Sequence, residues 1–270
     1  MPLKIGLVGC GAIGSEIARA IDSGRISADL VAVCDHNPET AKSLIGRLEK
    51  KPIKARLEEL VSLSDVVVEA ASQRAVPAIA RATLARGKNL MIMSVGALMD
   101  GDFFQEVQEL ASKNCSRIFL PSGAIAGLDG LKSASIGTIE RISLTTTKNP
   151  KGLEGAPYIL QQKIDLGALT QAAVIFDGMA SEAVRGFPAN VNVAATLSLA
   201  ARDVPVHVKI VADPNIHVNR HEIVVEGEFG KIFTRVENVP SPSNPKTSYL
   251  AALSAIATLR SIVEPVKIGT

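Results

Sequence analysis

No apolar run in this chain reaches the roughly 18 residues that a membrane-spanning helix needs, so no membrane partner is expected. Cysteine is scarce: Cys10, Cys34 and Cys115 are odd in number and scattered, which excludes a disulfide framework. No spacing of His, Cys, Asp or Glu fits a metal site either. Cys10 and Cys34 fall at strand ends and read as small buried apolar residues. Excess charge of one sign is missing too. A net charge of +2 gives no general electrostatic reason to bind nucleic acid or a membrane surface. The chain opens directly on a strand-like apolar run, so no signal peptide is expected, and a reducing cytoplasm fits the unpaired cysteines. There is no internal repeat or low-complexity segment. What remains is the composition of an ordinary globular protein, 47% apolar and 21% charged, with 270 residues for one large domain or two small ones.

The most informative stretch is Leu3 to Gly14, L-K-I-G-L-V-G-C-G-A-I-G, an apolar run that breaks into three glycines. It predicts a buried strand, a turn and a helix over 13–21. Gly9 allows the sharp turn, Gly11 a close approach of backbone to a pyrophosphate, and Gly14 close packing of helix on sheet. Gly9, Gly11, Ala12, Ile13 and Gly14 are the expected phosphate loop, with the positive end of the helix dipole behind it. A lone glycine fingerprint is weak, but here a second apolar run, Leu30 to Cys34, ends in Asp35, 21 residues after Gly14. An acid there accepts hydrogen bonds from the adenosine ribose. No arginine adjoins it, which favours NAD, while Lys42 is near enough to keep NADP open.

Further strands are predicted at 65–70, 89–93 and 117–120, alternating with helices at 76–85 and 102–113, the latter capped by Asp100 or Asp102. In a parallel sheet, ligands bind at the carboxyl ends of strands. The loops there are rich in small residues: Ala71-Ser72-Gln73, Ser94-Val95-Gly96-Ala97, and 121–127 with Ser122 and Ala124. Cofactor contact and plain loop composition both account for any one of them; three on one edge favour contact. From Ile139 the period changes. Strands are expected at 139–147, 206–212, 222–229 and 231–236, and helices at 170–185, 192–201 and 247–262. The fold class is therefore α/β: a Rossmann-type parallel sheet domain plus a second α+β domain with an open, mainly antiparallel sheet. The expected division is 1–120 for the dinucleotide domain, joined by the C-terminal helix of 246–270, and 121–245 for the substrate-binding, catalytic and dimerisation domain.

Chemistry has few candidates. His207 alternates onto the solvent face with Lys209, and His217 falls in a loop. His221 shares a face with Ile223 and Val225, opposite Glu222 and Glu226, so it is either a general acid–base or a hydrogen-bonded core histidine. Asn190 and Asn192 are either helix caps or contacts to a nicotinamide carboxamide. Lys148, and Lys246 beside Thr247, offer positive charge to a carboxylate substrate, or are solvated lysines, or in the case of Thr247 a helix cap.

Taken together, G-C-G-A-I-G at 9–14, M-S-V-G-A-L at 93–98, P-S-G-A-I-A-G at 121–127, F-P-A-N-V-N-V-A-A-T at 187–196, A-D-P-x-x-x-x-N-x-H-E-I at 212–223 and N-P-K-T-S at 244–248 make the whole chain resemble the L-aspartate dehydrogenase family. The resemblance implies NAD- or NADP-dependent oxidation of L-aspartate to iminoaspartate, which hydrolyses to oxaloacetate and ammonia unless captured. It also implies a homodimer and a role in de novo NAD biosynthesis, with hand-over to quinolinate synthase. It maps the catalytic histidine onto His221 and cofactor contacts onto Ala124 and Asn192. Ser122, Lys148, Lys246 and Thr247 are the candidates for the two substrate carboxylates. A related two-domain enzyme of another small acid, homoserine dehydrogenase-like or dihydrodipicolinate reductase-like, and a non-catalytic NAD-binding regulator stand as alternatives.

Overall fold

The computed structural model describes residues 2–188, 192–202, 204–241 and 244–269, without the side chains of 240 and 244–246. It divides into two compact units, Met1–Pro121 with Ala252–Lys267, and Ser122–Ala251 with Ile268–Thr270. The first unit runs β1 (Leu3–Val8), α1 (Ala12–Asp22), β2 (Ala28–Cys34), α2 (Pro38–Arg47), β3 (Ile53–Lys54), α3 (Leu57–Leu63), β4 (Val66–Glu69), α4 (Val76–Leu84), β5 (Asn89–Ile92), α5 (Gly101–Lys113) and β6 (Ile118–Phe119). All its strands are parallel, in the order β3-β2-β1-β4-β5-β6. The order reverses between β1 and β4, and the crevice beyond the carboxyl ends of those two strands is where such sheets take ligands. The central strands β1, β4 and β5 are largely buried, which is why they read as unbroken apolar runs rather than alternating ones. Local signals set the helix starts. Asn37 accepts from the Glu39 N–H at 3.0 Å ahead of Pro38 to open α2, and Asp100, not Asp102, caps α5 through the Phe103 N–H at 3.0 Å.

The second unit contains α6 (Leu128–Ala134), β7 (Ile139–Lys148), α7 (Pro157–Gln161), β8 (Ala173–Met179), α8 (Ala180–Gly186), α9 (Asn192–Ala201), β9 (Val206–Ala212), β10 (Asn219–Gly227), β11 (Gly230–Asn238), and the short pair β12 (Pro240–Ser241) and β13 (Asn244–Ser248). Its five-stranded sheet has the order β11-β10-β7-β9-β8; β7 and β9 are parallel and the other pairings antiparallel. One face carries Ile142, Leu144, Val208, Ile210, Ile223 and Val225 against Val193, Ala194 and Leu197 of α9. The other face carries ion pairs, among them Arg141 and Lys231 on Glu226 and Lys209 on Asp177, with His207 Nε2 2.9 Å from the same Asp177 carboxylate.

The helix expected over 170–185 forms only at its end, over Ala180–Gly186. Residues 173–179 are β8, antiparallel to β9, and a short helix, α8, follows. Val174-Ile175-Phe176 is β-branched and aromatic, and pairing on an existing sheet outweighs the weak helical spacing of a short apolar run. Phe176 turns inward to meet Tyr158 and Phe187, with ring centroids 5.4 and 5.8 Å from it. The last helix, α10 (Tyr249–Val263), begins two residues later than expected, because Thr247 and Ser248 belong to β13. Its Ala255, Ile256 and Leu259 are buried in the core of the first unit with Ile5, Leu7, Ile17 and Ile21.

Candidate active site

In the first unit the phosphate loop has the geometry its glycines allow. Gly9 adopts φ +97°, and a Cβ there would lie 2.4 Å from the Ala70 carbonyl oxygen across the β1–β4 switch point. A Cβ on Gly14 would lie 1.9 Å from the Gly9 oxygen, so α1 can only sit this close to the turn without one. At Gly11 a Cβ would meet nothing within 4 Å, and no side chain caps α1. The first-turn amides therefore face an open cradle of the kind an anionic pyrophosphate fills. Asp35, at the end of β2, accepts from the Cys10 N–H at 2.7 Å and the Asn37 N–H at 2.8 Å. It thus fixes the loop while its two oxygens keep acceptor capacity for a diol. Beside it, burial, with Asp35 and Cys34 as lesser causes, pushes the Cys10 thiol up to about 12, which keeps it out of nucleophilic chemistry.

The loops of Ala71-Ser72 and Ser94-Val95-Gly96 leave the ends of neighbouring strands β4 and β5. A residue not among the expected site residues joins them. Glu69, fully buried at the end of β4, accepts from the N–H groups of Ala71 (2.8 Å), Met93 (3.2 Å) and Ser94 (2.9 Å) and from the Ser94 hydroxyl (2.9 Å). A carboxylate inside the D-V-V-V-E-A run was itself the signal, since a buried acid requires such donors.

In the second unit the structure brings His221, Thr146 and Lys148 together. His221 on β10 stands opposite Thr146 on β7, and Lys148 lies two residues further along the same face of β7. His221 is 2% exposed, and its Nδ1 is 2.9 Å from the Thr146 hydroxyl. Burial, helped by the Lys148 charge, holds the imidazole down at about 3. Lys148 is not a solvated lysine: it is 5% exposed, and burial lowers its ammonium to about 8. The remaining candidates are spread over this unit. Ala124 is buried, and its carbonyl accepts from Asn238 Nδ2 at 2.9 Å. Ser122 and Thr247 are half-buried, and Asn192 is exposed at the start of α9. Asn190 and the side chain of Lys246 lie outside the described residues. A cavity of about 900 Å³ opens beside β7 and β10, with Asn149, His217 and Asn219 in its wall; His221 and Lys148 are not among its described lining residues. No helix among the described residues is long and apolar enough to cross a membrane.

Two family models match the chain: the NAD-binding domain of homoserine dehydrogenase over residues 9–121, and the C-terminal domain of aspartate dehydrogenase over residues 129–262. The L-aspartate dehydrogenase of Methanosarcina acetivorans is 52% identical over 270 residues, covering 99% of this chain and 100% of that protein. That of Nitrosopumilus maritimus is 46% identical over 271 residues, with 99% of each covered. Among solved structures, the aspartate dehydrogenase of Thermotoga maritima superposes with a TM-score of 0.77 at 26% identity, covering 100% of both chains.

Proposed function

The chain belongs to the L-aspartate dehydrogenase family, and from that premise we propose that it oxidises L-aspartate to iminoaspartate with NAD or NADP, using His221 as the acid–base residue and Lys148 to hold a substrate carboxylate. The observation that carries this reading is the buried His221–Thr146–Lys148 group on one sheet face. The cofactor, when bound, supplies the hydride acceptor. Gly9, Gly11, Ala12, Ile13 and Gly14 would hold its pyrophosphate, Asp35 the adenosine ribose, and Ala71, Ser72, Ser94, Val95, Gly96, Ala124 and Asn192 the nicotinamide half. Asp35 at the end of β2 supports a preference for NAD.

An ammonium cannot release hydride from its carbon until it loses a proton, so a base is required. His221 Nε2, the ring nitrogen that Thr146 does not engage, takes that proton. In the ligand-free chain the imidazole is held near 3, too acidic for the task. A dicarboxylate arriving beside Lys148 reverses this: its negative charges raise both the ammonium of Lys148 and the imidazole of His221. The base is thus switched on by the substrate it serves. Lys148 answers one carboxylate; Ser122, Lys246 and Thr247 are the candidates for the other.

The imine product hydrolyses in water to oxaloacetate and ammonia, so a metabolic use in de novo NAD biosynthesis calls for direct capture, by quinolinate synthase. A homodimer in the cytoplasm completes the proposal. The ion-paired outer face of the second sheet, where Phe233 is 58% and Val174 56% exposed, is the surface that supports pairing.

The test is reduced-cofactor absorbance with L-aspartate, D-aspartate and L-glutamate. Wild type should respond to L-aspartate alone. His221→Ala should keep cofactor affinity while turnover falls ~10²–10⁴-fold, the usual size for acid–base catalysis. Wild-type turnover in that variant would remove His221 from the mechanism.

A further inference from the structure

The acid at the end of β4 has no part in the chemistry above, yet its side chain accepts four hydrogen bonds at the carboxyl edge of the first sheet. Glu69 is fully buried, and both its oxygens are used. Oε1 accepts from the Ala71 N–H and the Ser94 hydroxyl, and Oε2 from the N–H groups of Met93 and Ser94. Two of these donors, the Ala71 and Ser94 amides, lie just past the ends of β4 and β5, where each chain has left the sheet ladder and needs a new acceptor, while the Met93 amide also donates to the Glu69 backbone carbonyl at 3.0 Å. One carboxylate serves both exits. The loops also interlock at a second point: a Cβ on Gly96 would lie 2.2 Å from Gln73 Nε2, so the Gln73 side chain packs on the bare backbone of the other loop. Burial pushes the Glu69 carboxyl up, and the donations from Ser94, Ala71 and Met93 act against this by favouring the ionised form.

We propose that Glu69 is a positioning residue for the cofactor: it clamps the loops of Ala71–Gln73 and Ser94–Gly96 into one rigid shelf for the nicotinamide ring, and has no role toward the ADP-ribose part. The inference rests on the reading of those two loops as nicotinamide contacts. The amide in Glu69→Gln is nearly isosteric, but it has one oxygen where the native site needs two acceptors. Turned either way, it points an NH₂ at a backbone N–H of one loop. One loop must then move, while Gly9, held by the Cys34 carbonyl at 2.8 Å, and Asp35, held by the Cys10 and Asn37 N–H groups, stay in place.

The experiment compares affinities by titration calorimetry for NADH and for ADP-ribose, which carries the whole adenosine half and lacks nicotinamide. Wild type should bind NADH more tightly than ADP-ribose. Glu69→Gln should weaken NADH by at least ~10-fold and leave ADP-ribose within about 2-fold. Should Glu69→Gln fail to fold, Glu69→Asp keeps the charge but is one methylene too short to reach both exits, and the same selective loss is expected of it. Equal weakening of the two ligands, or of neither, overturns the clamp. Equal affinities in wild type overturn it as well, and place the failure in the loop assignment rather than in Glu69.

Discussion

Lys148 shows how far one strand end can shift the chemistry of a common side chain. It sits at the last position of β7 on the buried face that also carries Ile142, Leu144 and Thr146, so its ammonium is carried inside. Desolvation disfavours the charged form and brings the group to about 8, within reach of ordinary assay conditions. If the charged lysine holds a substrate carboxylate, kcat/KM for L-aspartate should fall as pH rises through about 8, because that ratio reports groups of the free enzyme. In Lys148→Met this basic limb should vanish and KM should rise at least ~10-fold. An unchanged limb in the variant would assign it to another group. Neither the burial of Lys148 nor the clamp at Glu69 was legible in the sequence. Strand alternation gives a face, but whether that face is dry at its last residue depends on β9 and β10 beside it. The partners of Glu69 include residues 24 and 25 positions away.

At the scale of elements, aromatic packing holds the least regular part of the second unit. Phe187 is fully buried just after α8, with Tyr158 and Phe176 at centroid distances of 5.3 and 5.8 Å. It thereby ties α7 and β8 to the chain that follows α8. Phe187→Ala should cost ~3–5 kcal/mol by transfer and cavity terms together, read as a drop in the urea midpoint at constant slope. A loss under ~1 kcal/mol would mean the cluster collapses around the gap. The same region marks the limit of sequence pattern. The strand–glycine–helix unit at Leu3–Gly14 and the acid at Asp35 could be read directly, because Gly9 and Gly14 each answer a local steric need. The strands expected at 206–212, 222–229 and 231–236 could be read from alternation, since one face of their sheet is covered and the other open, although the second begins three residues earlier and stops at Gly227, and the third runs from Gly230 to Asn238. In β8 alternation and helical spacing overlap within seven residues, and only the pairing with β9 separates them.

At the scale of the whole molecule the chain path matters more than any single contact. The first unit is discontinuous: its sheet is complete by Phe119, but α10, more than a hundred residues later, supplies Ala255, Ile256 and Leu259 to its core. Each of Ala255 and Leu259 is fully buried, so their removal strips apolar cover from β1 and α1. A chain ending at Ser248 keeps every glycine of the phosphate loop and Asp35. It should nevertheless lose cofactor binding and show fast proteolysis within residues 1–121, measured against the full chain. Retained binding in that fragment would show that the six strands hold α1 in place by themselves.

This path also bears on how the molecule is made. A ribosome delivers the nucleotide-binding sheet first, the second unit next and α10 last. Domains of nascent chains commonly fold in the order they emerge. Here that order is broken, since the first unit to appear is the last that can close. Until Leu259 clears the exit tunnel, the apolar surface that α10 will cover is open to the cell. A nascent-chain chaperone would find its binding site there, and synonymous changes that slow translation between the end of β13 and the end of α10 would lengthen that exposure.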